Sequence, residues 1–245
     1  MLKPYYQDHA VTIYHGDCMK ILPELPPVDT LITSPPYGVE KNSHYDYKKY
    51  LHLDLLEEEM LDAIADAHAD YKWLNIQALS ANKKMLFRWL GKRAAEIKET
   101  LIWTKSSTAP AMAQGCVNSA FEFIFCLTKI DAFNRTFRNQ NWRGVVSNVF
   151  SCPPASFSNP AVDIHHATFP IQLPMFILEN FGGKTVLDPF CGTGTVLRAA
   201  KDKGLKGVGI EINEKYCEIA AKRALQESLF RQSDEAHEFS QAELL

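Results

Sequence analysis

Val186-Leu187-Asp188-Pro189-Phe190-Cys191-Gly192-Thr193-Gly194-Thr195 decides the fold. Its apolar start reads as a buried strand, its proline and glycines as a turn, and Thr195 to about Gly204 as a helix. A strand that passes through a glycine turn into a helix aims backbone N–H groups and the positive helix end at a ligand. Glycine permits the close approach that a side chain would block. About 20 residues on, after a strand at Gly207 to Ile210, Glu211 stands where it can accept hydrogen bonds from ribose hydroxyls. A tight turn and a solvated strand end are the plainer reading of either feature alone. Together, strand, turn, helix and acid point to an adenosine-type ligand. A dinucleotide fits less well, because Val196-Leu197-Arg198 supplies no third glycine.

Outward from this turn the chain alternates strands and helices, the mark of an open α/β sheet. Strands are expected at Val11 to Tyr14, Val28 to Thr33, around Trp73 to Ile76, Leu101 to Trp103, Phe121 to Leu127 and Thr185 to Leu187. Helical spacing runs from Leu55 to His68, from about Asn82 to Lys98, from Pro170 to Phe181 and from Glu214 to Gln226. Residues 132–162 break the pattern: they hold Arg135, Arg138 and Arg143, no Asp or Glu, and many Asn, Ser and Pro. That stretch reads as an insertion with little regular structure. Residues 232–245 read as a polar, frayed tail.

The length of 245 residues suits one α/β domain with a small insertion, here taken as 1–245. With 46% hydrophobic and 22% charged residues the composition is globular, which excludes a disordered or fibrous chain. A formal net charge of −3 means that any nucleic-acid surface must come from local clustering. No apolar run reaches the ~20 residues of a membrane span, and Met1 to Tyr6 carries no apolar signal core. Six cysteines without a CxxC pair suit reduced, packed thiols, and the chain reads as cytoplasmic. The adjacent His165 and His166 have no carboxylate or thiol at ligand spacing, so no metal is expected.

Thr33-Ser34-Pro35-Pro36-Tyr37 is the second strong signal. Two prolines after a buried strand fix the backbone and remove two N–H donors, leaving carbonyl acceptors unpaired. Ser34 Oγ and the Pro35 carbonyl can then accept from one amino group, and Tyr37 offers a face for a stacked base. A rigid loop or a proline-rich ligand motif is the alternative, but neither normally follows an apolar strand.

These two motifs, SPPY at Ser34 to Tyr37 and DPFCGTGT at Asp188 to Thr195, resemble those of the S-adenosylmethionine-dependent DNA amino-methyltransferases. Their order, catalytic motif, variable insertion, cofactor motif, resembles the β arrangement of that family. The resemblance spans about Thr12 to Arg223 and implies a circularly permuted, Rossmann-like methyltransferase fold with S-adenosylmethionine as cofactor. It implies that Ser34, Pro35, Pro36 and Tyr37 hold the flipped base. Asp188, Phe190, Gly192, Thr193 and Gly194 would line the cofactor pocket, with Glu211 on the ribose. Asp17 resembles the family's acidic contact to the cofactor's adenine, although a plain turn aspartate reads as well. Thr168, Phe169 and Pro170 resemble a segment beside the cofactor's methionine end, where His166 replaces the usual proline.

A serine heading the motif resembles cytosine-N4 enzymes, whereas adenine-N6 enzymes more often carry Asp or Asn. The expected substrate is therefore cytosine in a short specific sequence of double-stranded DNA, with adenine-N6 methylation as the alternative. A cytosine-C5 enzyme would need a Pro-Cys nucleophile, and Cys152 precedes Pro153 instead. A nicotinamide oxidoreductase and a non-catalytic DNA-binding module are remoter rivals. Residues 132–162 are the expected target-recognition insertion. There Arg135, Arg138, Trp142 and Arg143 have side chains suited to base edges or to a solvated loop. Lys48 and Lys49 are expected on phosphates, or in a surface loop. Lys83, Lys84, Arg88, Lys92 and Arg93 read as a solvated helix face or as phosphate contacts. A homodimer and a cognate restriction endonuclease are family-level expectations.

Overall fold

The computed structural model describes residues 2–36, 56–79, 81–107, 114–138, 140, 142–155 and 169–226. Their strands are β1 (Tyr6–Gln7), β2 (Val11–His15), β3 (Val28–Thr33), β4 (Ala69–Ile76), β5 (Ile97–Lys105), β6 (Phe121–Leu127), β7 (Val149–Cys152), β8 (Thr185–Asp188) and β9 (Lys206–Glu211). The helices are α1 (Cys18–Ile21), α2 (Glu58–Asp66), α3 (Lys83–Lys92), α4 (Gln172–Phe181), α5 (Thr195–Asp202) and α6 (Glu214–Leu225).

The strands form one sheet in the order β1-β2-β9-β8-β3-β4-β6-β5-β7. All run in one direction except β1 and β6. Central strands of such a sheet are covered on both faces, which is why β3 is buried along nearly its whole length. On one face Leu61 and Ile64 of α2 and Leu86 and Trp89 of α3 close over Leu31 and Leu74. On the other, Leu173, Ile177 and Phe181 of α4 and Val196 and Ala199 of α5 close over Ile32, Trp73 and Ile124. Helix α6 packs on Val11 and Ile13 of β2. No helix among the described residues is long and apolar enough to cross a membrane.

From β3 the chain steps to β4 on one side, and from β8 it steps to β9 on the other. The strand order therefore reverses between β3 and β8, and a doubly wound sheet opens a crevice at the carboxyl ends of those two strands. Both motifs singled out in the sequence end there.

Two expectations shift. The helix expected to Lys98 stops at Lys92, and a 3-10 turn at Ala94–Glu96 leads straight into β5 at Ile97, which pairs with Leu127. The polar stretch 132–162 is not wholly irregular: it contributes β7, paired in parallel with Ile102 to Lys105 of β5. Within the same stretch Phe137 is 8% exposed and lies against Tyr71, Trp73 and Phe181. Burial of its aromatic ring overrides the loop-like composition of that stretch. The tail from residue 232 lies outside the described residues.

Candidate functional site

Thr33 ends β3 fully buried, and its Oγ1 donates to Asp188 Oδ1 at the end of β8, 2.8 Å away. This bond ties the two motif strands across the crevice. Ser34 and Pro36 follow half-buried and Pro35 buried, so the strand leaves the sheet through two residues with no N–H to donate. Asp188 is 2% exposed and also accepts from the Phe190 N–H at 3.1 Å. Burial pushes its carboxyl up to about 7, against which the Thr33 and Phe190 bonds pull only partly.

The turn after β8 needs its glycines. Gly192 and Gly194 have φ of +50° and +82°, and a Cβ on Gly194 would stand 2.9 Å from the Ala220 methyl of α6. Cys191, between them and the sheet, is buried against Gly209, and burial raises its thiol well above the usual range. It packs rather than attacks.

Glu211 ends β9 as the sequence predicts. Its Oε2 accepts from the Gly192 N–H at 2.9 Å and its Oε1 from the Asn213 N–H at 2.8 Å. A carboxylate has about four acceptor positions, so hydroxyl donors can still be received. Burial raises its carboxyl too. Asp17 follows β2, whose His15 pairs with Glu211, and the Gly16 N–H donates to the Glu211 carbonyl. Asp17 Oδ1 caps α1 through the Met19 N–H at 3.0 Å, a local turn role that leaves its second oxygen oriented by Lys20 at 3.8 Å. Phe169 and Pro170 precede α4 at its sheet-top end, since the helix descends to Phe181 just before β8 begins.

The structure thus gathers Asp17, Ser34, Pro35, Pro36, Asp188, Phe190, Gly192, Thr193, Gly194 and Glu211 at one edge of the sheet. Tyr37, Lys48, Lys49 and Thr168 lie outside the described residues. Arg138 and Trp142 are described, and each is tied to the body of the fold by one hydrogen bond. The Arg138 N–H donates to the Tyr71 hydroxyl, and Tyr71 pairs with Thr30, about 10 Å of strand before Thr33. Trp142 donates from Nε1 to the Asn180 carbonyl at the far end of α4. Lys98, its side chain 1% exposed, pins the same loop through Asp131 and the Asn134 carbonyl. Arg135 lies within this anchored loop; it and Arg143 are exposed.

Two residues escaped the sequence reading. Thr33 looked like an ordinary strand residue, and only its register opposite β8 reveals the bond to Asp188. Arg223, on the last turn of α6, donates from Nη1 to the Thr193 carbonyl at 2.8 Å and to its hydroxyl at 3.2 Å. Its one sequence signal is the three-residue spacing from Ala220, the residue that meets Gly194. Together the pair makes α6 the back wall of the glycine turn.

A family model described as DNA methylase matches residues 28–222. The Type II methyltransferase M.ScaI of Streptomyces caespitosus is 25% identical over 93% of this chain and 86% of its own length. The DNA adenine methyltransferase YhdJ of Escherichia coli K12 is 26% identical over 89% of this chain and 84% of its own length. Among solved structures, the PvuII DNA methyltransferase (cytosine-N4-specific) superposes with a TM-score of 0.70 at 16% identity, covering 95% of this chain and 92% of that one. A complex of M1.HpyAVI with S-adenosylmethionine gives 0.62 at 20% identity, covering 88% and 100%.

Proposed function

The chain belongs to the DNA methylase family, and from that premise we propose that it moves a methyl group from S-adenosylmethionine to the N4 amine of cytosine in a short sequence of duplex DNA. The observation that carries this reading is the Thr33–Asp188 bond. It sets the Ser34-Pro35-Pro36 exit of β3, whose two prolines have no N–H to donate, directly beside the buried acid and glycine turn of β8, so an amine held by one motif meets a ligand held by the other.

The cofactor pocket fits its occupant on this chain's own terms. Left-handed Gly192 and Gly194 leave the turn without side chains, Glu211 retains acceptor capacity for ribose hydroxyls, and Asp188 is a buried acid that a nearby cation would ionise. Asp17, Phe169 and Pro170 complete the wall in this reading. When bound, the cofactor supplies an electrophilic methyl group on a sulfonium. A duplex hides the amine behind pairing and stacking, so the base must leave the stack. Ser34 Oγ and the Pro35 carbonyl would accept hydrogen bonds from the two amine N–H groups and turn the nitrogen lone pair out of conjugation with the ring. No covalent bond to the protein is needed, and orientation with fixed dipoles provides the rate.

The test is direct: incubate the protein with unmethylated DNA and S-adenosylmethionine, digest to nucleosides and identify the product by mass spectrometry. N4-methylcytosine is expected. N6-methyladenine is the second reading, favoured by the likeness to YhdJ, and would refute the serine argument while keeping the site. Neither product, with cofactor binding intact, would refute the substrate assignment.

A further inference from the structure

We propose that the exposed face of α3 formed by Lys83, Lys84, Phe87 and Arg88 seats the phosphate backbone of the DNA substrate; this rests on the methyl-transfer reading above. The helix carries cations along its length, but they are treated differently at its two ends. At the end far from the site, Lys92 pairs with Glu58, and Arg93 pairs with Asp62 at 2.8 Å, Asp66 at 2.9 Å and Glu96 at 3.0 Å. Lys83 and Lys84 at the end beside the site, and Arg88 a turn further on, are exposed and have no acidic partner among the described residues.

Their position also opposes the helix itself. The first turn of α3 holds no acidic residue, although the positive end of a helix dipole favours anions. Two lysines there repel the helix end, and an external anion relieves both. Between the cations on the same face stands Phe87, 53% exposed, its ring edge-on to Phe123 of β6 at 6.3 Å. Phe121, 46% exposed and edge-on to Phe123 at 5.3 Å, extends the aromatic strip. Cations flanking exposed rings match a strand that alternates phosphates with apolar sugar edges.

The surface is where a duplex threaded to the site would run. Leu74 of β4 lies beside Thr33, and β4 ends two residues later. A turn held by Asn82, whose Oδ1 accepts from the Leu79 N–H at 2.8 Å and whose Nδ2 donates to the Gln77 carbonyl at 3.1 Å, then starts α3 at that same edge. DNA carries a charge for about every 1.7 Å of axis, so a helix end so close to the flipped base faces several phosphates.

The test follows binding of a fluorescent 30-base-pair duplex by anisotropy between 50 and 200 mM salt. The wild type is compared with the triple variant Lys83→Ala/Lys84→Ala/Arg88→Ala and with Lys92→Ala/Lys129→Ala, which removes paired cations at the opposite end. Taking three cations away from phosphate should flatten the salt dependence by about 2.7, so the wild type loses about 40-fold more affinity than the triple variant across that range. The triple variant also raises KM for DNA, and the control keeps the wild-type slope. Equal slopes for wild type and triple variant, or an equal flattening in the control, would overturn the surface. Nucleoside analysis of the wild type separates the two readings. A methylated product with unchanged slopes overturns only the surface, while a changed slope without any methylated base supports the surface and overturns the methyl transfer.

Discussion

Asp188→Asn keeps an acceptor for Thr33 and removes a carboxyl that burial holds at about 7 instead of the usual 3.8. Below about pH 4 the group is protonated in both the folded and the unfolded chain and costs nothing. Between about pH 4 and 7 the unfolded chain releases the proton while the folded chain keeps it, so folding loses stability as the pH rises. Above about pH 7 the folded chain carries a desolvated charge and the full penalty. At about 1.4 kcal/mol for each tenfold change in proton affinity, that penalty reaches at most about 4 kcal/mol. Urea unfolding of cofactor-free protein at a series of pH values from 4 to 8 reads it out. The asparagine variant should gain on the wild type by up to that amount, nearly all of it between about pH 4 and 7. Glu211, also raised by burial, is common to both proteins and enters the difference only through its charge repulsion with Asp188. In the same variant S-adenosylmethionine binding should weaken, so stability and function move in opposite directions. A difference between the two proteins that stays flat across this range would refute the burial argument.

Gly194→Ala should cost about 1–2 kcal/mol from its left-handed backbone alone, and its Cβ would also press on Ala220 at 2.9 Å. Thermal unfolding should fall by several degrees and titration calorimetry should show weakened cofactor binding; an unchanged melting temperature would contradict the packing. Arg223→Met leaves the Thr193 carbonyl without its guanidinium donor, at a cost of about 1–3 kcal/mol. KM for S-adenosylmethionine should rise about tenfold with KM for DNA unchanged, and Arg223→Lys should restore part of it because one donor still reaches the carbonyl. A rise shared equally by both substrates would make the residue merely structural.

Much of this was legible in the chain because punctuation falls beside periodicity. Val28 to Thr33 is apolar and stops at two prolines, and the strand ends there. The glycine turn and Glu211 are likewise local patterns, and the structure brings them together as expected. What stayed hidden depends on distant partners. β7 is four residues amid Asn, Ser and Pro, and it is a strand because β5 offers an unpaired edge. Residues Arg93 to Glu96 suit a helix, yet Ile97 must already pair with Leu127, so the chain tightens into a 3-10 turn instead. The arginines at 135 and 138 read as DNA contacts by residue type, but Phe137 between them is the residue that determines where the loop sits. Side-chain type suggests a chemistry; the neighbouring hydrophobe chooses the location.

The pairing of β2 with β9 has a consequence for the protein's birth. His15 ends β2 and Ile212 follows β9; joined by a hydrogen bond, they are 197 positions apart, and Asp17 and Glu211, one half of the candidate site, stand beside them. Nearly the whole described chain must leave the ribosome before that half can close, at roughly 5–20 residues per second. Until then β2 waits with an exposed edge and the Ser34 strand has no acid beside it. Contacts of such long sequence separation slow folding, and a nascent or prematurely terminated chain has no assembled centre with which to mark DNA. Activity therefore begins only once β9 has been made and paired.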